Sequence, residues 1–171
     1  MPRIRLKAST ILSVGALAIA SSLTLSTPAY AAPQCSDYQT FTFGTPGDDT
    51  KVKIRLCVRI TNGKGFYRAQ GSWSNGGGHF EVDKFEKFDI ILRLERNQAT
   101  YSSGRSSVLA NDINYNETGS FDDEIGPATP DTGGSLPSGK WTTDGYVNYN
   151  INNDGDGNHT LQLTGSPSIT R

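Results

Sequence analysis

The segment 150–158, NINNDGDGN, has the most specific chemical pattern in this 171-residue chain. Oxygen-bearing side chains alternate before a glycine, which resembles the first half of an EF-hand loop that binds Ca²⁺. The second half is missing, because Leu161 or Leu163 stands where the loop needs its bidentate Glu. The candidate ligands are Asn152, Asp154 and Asp156.

A hairpin turn is the alternative interpretation of the same segment. Asp-Gly pairs and Asn residues tolerate positive φ angles and are the usual residues of such turns. Only two acids would balance the charge of a divalent cation, so even a real calcium site would be weak. The sequence favours the turn, and we expect no cofactor, Ca²⁺ included.

Paired carboxylates are the second feature, since glycoside hydrolysis needs two carboxyl groups facing each other across a cleft. Spacing along the chain does not fix such a pair in space. His79 and His159 are the only histidines, and hydrolase, metalloprotease and P-loop motifs are absent. We therefore assign no catalytic residue, and the sequence favours a protein that is not an enzyme. The acids considered are Glu81, Asp83, Glu86, Asp89, Glu95, Asp122, Asp123 and Glu124.

Two tryptophans are the third feature. Trp73 precedes a Gly-rich loop and Trp141 opens an expected strand, so both rings could lie near loops and stack on a sugar. Trp73 also continues the face of Tyr67, and Trp141 continues that of Val147, which is typical of core residues. Each tryptophan could therefore either bind a sugar or belong to the core, and the pattern favours the core.

Export is predicted from the first 31 residues. Arg3, Arg5 and Lys7 precede an apolar stretch at 11–20, and Ala-Tyr-Ala at 29–31 is a small-x-small cleavage site. No later segment approaches the roughly 20 apolar residues of a membrane helix. We expect a signal peptide at 1–31 and one secreted, extracellular β domain at 32–171, without membrane contact after cleavage.

Cys35 and Cys57 are the only cysteines. In an exported chain such a pair is most simply one disulfide, whereas a metal site would need partners from two histidines. Cys57 lies on the outer face of an expected strand, so the segment around Cys35 is expected to fold over that strand. After residue 31 the chain carries 13 basic and 17 acidic residues, so we expect no nucleic acid as a partner.

Period-two patterns dominate the rest of the chain. Residues 51–60 put Val, Ile and Leu on one face, with Lys51, Lys53, Arg55 and Arg59 on the other. That basic face is either an anion-binding stripe or the ordinary solvated face of a strand, and the sequence favours the latter. Further strands are expected at 66–73, 88–96, 141–151 and 160–164, with weaker ones at 38–43, around 101, at 107–110 and at 113–115.

These strands predict an all-β fold, an antiparallel sandwich or jelly-roll-like domain with seven to nine short strands and one disulfide. Residues 117–140 are rich in Gly and Pro and are expected to form an extended loop. Beside an export signal and two cysteines, the chain carries YRA at 67–69, FDIILRLER at 88–96 and LQLTGSP at 161–167. This order resembles small exported proteins of actinobacteria, which implies secretion and a β-fold but no particular chemistry.

The function favoured by these features is a non-catalytic extracellular β-sandwich domain that binds a glycan, a cell-wall polymer or a protein. The alternative is a small secreted glycan hydrolase that uses paired carboxylates. The sequence leaves the ligand and the oligomeric state open.

Overall fold

Antiparallel strands make up most of the computed structural model, which describes residues 32–78 and 82–171. The expected signal peptide at 1–31 lies outside the described residues, as do His79 and Glu81. In chain order the elements are β1 (Gln34–Cys35), β2 (Gln39–Phe43), β3 (Thr50–Thr61), β4 (Lys64–Ser74), β5 (Phe85–Arg96), β6 (Ala99–Val108), α1 (Ala110–Tyr115), β7 (Gly119–Ala128), β8 (Lys140–Ile151), β9 (His159–Leu163) and β10 (Ile169–Thr170).

The strands form two five-stranded sheets. In the first sheet β1 and β2 both pair with β3, which is followed by β4 and β7; in the second, β9 and β10 both pair with β8, which is followed by β5 and β6. Across the core β3 packs against β8 and β4 against β5. The predicted antiparallel sandwich is confirmed. The described residues form ten strands where seven to nine were expected, and two of them, β1 and β10, are only two residues long.

The core lies between the two sheets. It is built from the side chains on the inward faces of the strands, as the period-two pattern predicts. Burial of each aliphatic or aromatic side chain contributes about 1.5–3 kcal/mol to the free energy of folding. Thr143 also bridges the sheets, because its hydroxyl donates to the Cys57 carbonyl oxygen at 2.9 Å. The apolar residues of β3 and β5 that are 0% exposed are Val52, Ile54, Leu56, Val58, Phe88, Ile90, Leu92 and Leu94.

The hairpin between β3 and β4 closes with a two-residue turn. Asn62 and Gly63 have φ angles of 53° and 73°, and Thr61 already pairs with Lys64. Positive φ at both central residues is the type I′ geometry, which matches the twist of the flanking strands. The turn therefore consists of Asn62 and Gly63 alone. As a result, the outer faces of β3 and β4 run side by side over their whole length.

The loop predicted at 117–140 is wrong in its first half, where β7 forms. Phe121 and Ile125 turn inward and alternate with the outward acids Asp122 and Glu124, so the segment is a half-buried edge strand. The two outward acids are stabilised by pairing with β4, because Arg68 of that strand contacts both of them. Sequence pattern alone does not reveal that partner. Residues 129–139 remain irregular.

The strand expected at 113–115 is also wrong, because these residues belong to α1. Ile113 and Asn114 are buried, and the Asn114 side chain accepts hydrogen bonds from the Lys84 and Phe85 backbone N–H groups, both at 2.9 Å. This contact ties the short helix to the start of β5. The described residues contain no helix long and apolar enough to cross a membrane.

The predicted disulfide joins Cys35 to Cys57. The two residues lie directly opposite each other in the β1–β3 pairing. The N-terminal segment therefore runs beside β3 as a short edge strand and does not fold over it, because backbone pairing satisfies its polar groups. The bond is consistent with an extracellular location, where thiols are oxidised.

Candidate ligand-binding face

The outer face of the first sheet carries a row of cationic side chains. Lys51, Lys53, Arg55 and Arg59 of β3 alternate with its buried core residues, because successive residues of a strand point to opposite faces. Lys51 and Lys53 are exposed, while Arg55 is half-buried. We refer to Lys51, Lys53 and Arg55 as the basic strip.

Polar side chains flank the basic strip on both sides, because register places β2 on one side of β3 and β4 on the other. Lys51 lies between Thr42 and Ser74. Lys53 lies in the same way between Thr40 and Ser72. The next residue of the strip, Arg55, lies opposite Gln70, and its Nε donates to the Gln70 amide oxygen at 2.9 Å.

The arginines at the other end of this face are neutralised. Arg59 Nη2 lies 2.8 Å from Glu124 Oε1, and Arg68 Nη2 lies 3.0 Å from Glu124 Oε2. Arg68 Nε also lies 3.4 Å from Asp122 Oδ1. The interpretation as an ordinary solvated strand face fits this end, where opposite charges from β7 balance the cations.

The basic strip has no such balance. Among the described residues, no carboxylate oxygen lies within 4.0 Å of the charged nitrogens of Lys51, Lys53 or Arg55. The Arg55 guanidinium instead covers the Tyr38 ring, 4.7 Å from its centroid. A shallow depression of about 310 Å³ lies over the two lysines; it is lined by Thr40, Lys51, Lys53, Ser72, Trp73 and Ser74.

Both tryptophans are core residues. Trp73 is 7% exposed and Trp141 is 0% exposed. The Trp73 indole N–H donates to the Asn116 carbonyl oxygen at 3.0 Å, and the Trp141 indole N–H donates to that of Pro137 at 3.3 Å. Neither ring therefore presents a face on which a sugar could stack, and of the two interpretations left open for Trp73 and Trp141 the structure supports a place in the core.

Residues 152–158, which hold the Asp-Gly repeat, connect β8 to β9. Asn153, Gly155 and Gly157 have φ angles of 61°, 77° and 77°, and the Asp156 N–H donates to Asp154 Oδ1 at 2.9 Å, so local turn geometry accounts for this composition. The Asn152 backbone N–H donates to the Lys84 carbonyl oxygen at 3.1 Å.

Three side chains at this turn and at the start of β9 lie close enough together that they could hold a metal ion. Ligand atoms of Asp154, Asp156 and His159 lie within 4.8 Å of one another, and both acids are exposed. The sequence pattern did not point to His159, which follows the Asp/Gly repeat and opens β9. Its ring stacks on Tyr149 at 5.2 Å between centroids.

The clearest carboxylate pair lies on the outer face of the second sheet. Asp144, which the sequence pattern did not single out, lies opposite Arg93 in the β5–β8 pairing, with 2.6 Å between Asp144 Oδ2 and Arg93 Nη2. Glu95 Oε1 lies 3.7 Å from Arg93 Nε. Burial raises the pKa of the Glu95 carboxyl, and the Asp144 charge raises it further while Arg93 partly offsets both.

Among the described residues, the other acids considered from the sequence have arginine, lysine, hydroxyl or amide partners, or are exposed. Asp122 and Glu124 contact arginines of the first sheet, and Asp123 accepts a hydrogen bond from Ser107. Asp89 is buried between Lys87 and Arg105, at 3.9 and 3.6 Å. Glu86 accepts from the Asn150 amide at 2.6 Å, and Asp83 is exposed. Each of these carboxylates therefore either contacts another side chain or faces solvent.

Comparisons with family models, with curated proteins and with solved structures gave no match for this chain. The geometry of the two outer sheet faces is therefore the basis on which a function can be assigned.

Proposed function

We propose that this protein is a non-catalytic extracellular module that binds an anionic cell-wall polymer along the basic strip. The observation that carries the proposal is the contrast within one sheet face. Arg59 and Arg68 are neutralised by Asp122 and Glu124, whereas the basic strip has hydroxyl and amide neighbours and no carboxylate partner among the described residues.

Electrostatics supports a polyanion as the ligand. Two like charges about 7 Å apart, the spacing of alternate residues on a strand, repel each other by about 0.6 kcal/mol in water. A bound anionic chain removes that repulsion and adds attraction to each cation. The lysines are exposed, so binding desolvates them only partly and the gain is not cancelled.

The surroundings make the strip selective. The chain after residue 31 has a net charge of about −4, so the protein as a whole repels polyanions, whereas the cations of this face attract them. Hydroxyl groups of Thr40, Thr42, Ser72 and Ser74 add hydrogen-bond donors beside the lysines. The export-like N-terminus and the disulfide support an encounter with such a polymer outside the cell.

A sedimentation assay with an insoluble phosphate-containing wall polymer and the mature chain 32–171 tests the proposal. The double variant Lys51→Glu/Lys53→Glu should lose binding by about tenfold or more, equivalent to about 1.4 kcal/mol. Binding of the wild type should also weaken as salt rises, because the interacting charges are exposed.

Lys64→Glu/Lys140→Glu is the matched control, since both lysines are exposed, lie away from the strip and give the same change in net charge. The control should keep most of the affinity. An equal loss in both double variants would reduce the interaction to net charge and overturn the proposal. So would a wild type that does not sediment with the polymer at low salt.

The second candidate is a glycan hydrolase that uses Glu95 and Asp144. A raised pKa on one of two neighbouring carboxyls is the pattern of an acid–base pair. The close contact between Asp144 and Arg93 works against it, because the guanidinium occupies an oxygen that would have to face substrate. A glycan panel should show no activity; turnover that disappears in both Glu95→Gln and Asp144→Asn would reverse this preference.

A further inference from the structure

The basic strip contains the same arrangement twice. Thr42, Lys51 and Ser74 form one row across β2, β3 and β4. Thr40, Lys53 and Ser72 form the next row, with the same three residue types in the same order. Each row therefore offers one ammonium group flanked by two hydroxyl groups, and the depression of about 310 Å³ is lined by all of these residues except Thr42.

We infer that the two rows bind successive units of a linear phosphodiester polymer, one phosphate to each row. The inference rests on the proposed function and adds the repeat and the chemistry of the ligand. Rows on one face of a strand are about 6.6–6.8 Å apart, so the ligand must present negative groups at about that interval. Polymers of a three-carbon polyol joined through phosphates have charges separated by a short, flexible linker that can adopt this spacing.

The choice of side chains favours phosphate over carboxylate. Arginine binds planar carboxylates through two parallel hydrogen bonds, whereas lysine acts as a compact point charge that suits a tetrahedral phosphate. The arginines of this face are engaged, Arg55 by Gln70 and Tyr38 and the others by acids of β7. The groups left for a ligand are two ammonium groups and their hydroxyl neighbours, which donate to phosphate oxygens.

The repeat ends after two rows. In the third row the Arg55 guanidinium is held between Gln70 and the Tyr38 ring, so it differs from the lysine rows in both charge geometry and neighbours. On the other side, Lys51 lies next to the start of β3 at Thr50. Affinity should therefore rise sharply from one phosphate to two and only slightly beyond two.

Calorimetric titration of the mature chain with glycerol phosphate oligomers containing one, two and four phosphates tests the inference. The second phosphate should raise the affinity by at least about tenfold, because the second contact becomes intramolecular. Lys51→Gln and Lys53→Gln should each remove that step while retaining weak binding of the single phosphate, and Lys64→Gln should leave it unchanged. Thermal unfolding should show that all three variants remain folded.

Different results would overturn the two-row inference and the proposed function. If the polymer binds in a Lys51- and Lys53-dependent manner but affinity grows evenly with length, the two-row inference is overturned and the proposed function stands. The same holds if uronate oligomers of equal charge bind as tightly as the phosphodiesters. If no anionic chain binds, or if binding ignores both lysines, the proposed function fails and the inference fails with it.

Discussion

Lys84 is a charged side chain that the sandwich buries almost completely, with 4% of its surface exposed. Its ammonium group donates to the carbonyl oxygens of Pro46 and Asp48, both at 2.7 Å. It also lines a cavity of about 440 Å³ together with Glu117 at one end of the molecule. Because a buried ammonium needs hydrogen-bond acceptors, the side chain fixes the loop before β3 against the start of β5.

Replacing Lys84 with Met should lower the free energy of unfolding by about 1–3 kcal/mol, because two carbonyl oxygens lose their donor. Urea denaturation followed by tryptophan fluorescence measures the change. Lys64→Met at the exposed β3–β4 hairpin is the control and should stay within about 0.5 kcal/mol of the wild type. Equal stability of the two variants would show that the loop does not depend on this ammonium.

Glu95 gives a pH-dependent prediction. Burial and the Asp144 charge raise its folded-state pKa above the ordinary value of 4.5, so at neutral pH the charged carboxylate makes folding less favourable. This cost is complete above the folded-state pKa and disappears as the pH falls below 4.5, where the carboxyl is protonated in both states. Glu95→Gln should therefore stabilise the protein at pH 7 by up to about 0.5 kcal/mol and have no such effect in acid.

Chemical denaturation of Glu95→Gln at pH 7 and at acidic pH measures this difference. Asp131→Asn, at an exposed carboxyl, is the control for the removal of one negative charge. A Glu95→Gln variant less stable than the wild type at pH 7 would contradict the prediction, because attraction to Arg93 would then outweigh burial.

At the scale of elements, the disulfide holds β1 beside β3 next to the basic strip. It closes a loop of 22 residues in sequence, for which chain entropy predicts a stabilisation of about 3 kcal/mol. Cys35→Ala/Cys57→Ala should lose about that much free energy of unfolding. Since β2 pairs with β3 independently of the bond, the variant should still bind the anionic polymer at a temperature where it is folded. A loss below about 0.5 kcal/mol would mean that the bond contributes little beyond ordinary surface substitutions.

The turn between β8 and β9 makes a prediction about calcium. If Asp154 and Asp156 bound Ca²⁺ in the folded state only, calcium at about 100 times its dissociation constant would stabilise the protein by about 2.7 kcal/mol. We expect no calcium-specific rise in the melting temperature up to about 10 mM, which is about ten times the weakest dissociation constants of extracellular calcium modules. Magnesium and sodium chloride serve as ionic controls. A rise that Asp154→Ala/Asp156→Ala abolishes would make the turn a metal site.

At the scale of the whole molecule, the sandwich separates charges that are mixed along the chain. The acids Asp122 and Glu124 of β7 lie on the same sheet face as the cations of β3, but their partners are Arg59, Arg68 and Gln70 and not the two lysines. Two hydroxyl-bearing strands enclose the two lysines instead. A chain with a net negative charge can thus present one local cationic face, which net charge alone would not predict.

The amino-acid sequence by itself determined the strands whose inward faces build the core. In β3 and β5 the alternation of apolar and polar residues is a local property, and the side-chain period of two converts it directly into a buried and an exposed face. The disulfide also follows locally from two cysteines in an export-like chain. Prediction was weaker for β7 and α1, because their few apolar residues are stabilised by distant partners.

Tertiary structure alone decided which polar residues share a surface. Glu124 neutralises Arg59 across 65 positions of sequence, and Asp144 reaches Arg93 across 51. The repeated rows around Lys51 and Lys53 depend on the register of three strands. A strand's pattern specifies which side of it faces the core, but pairing partners and register are fixed only when distant strands meet and bury their apolar faces together.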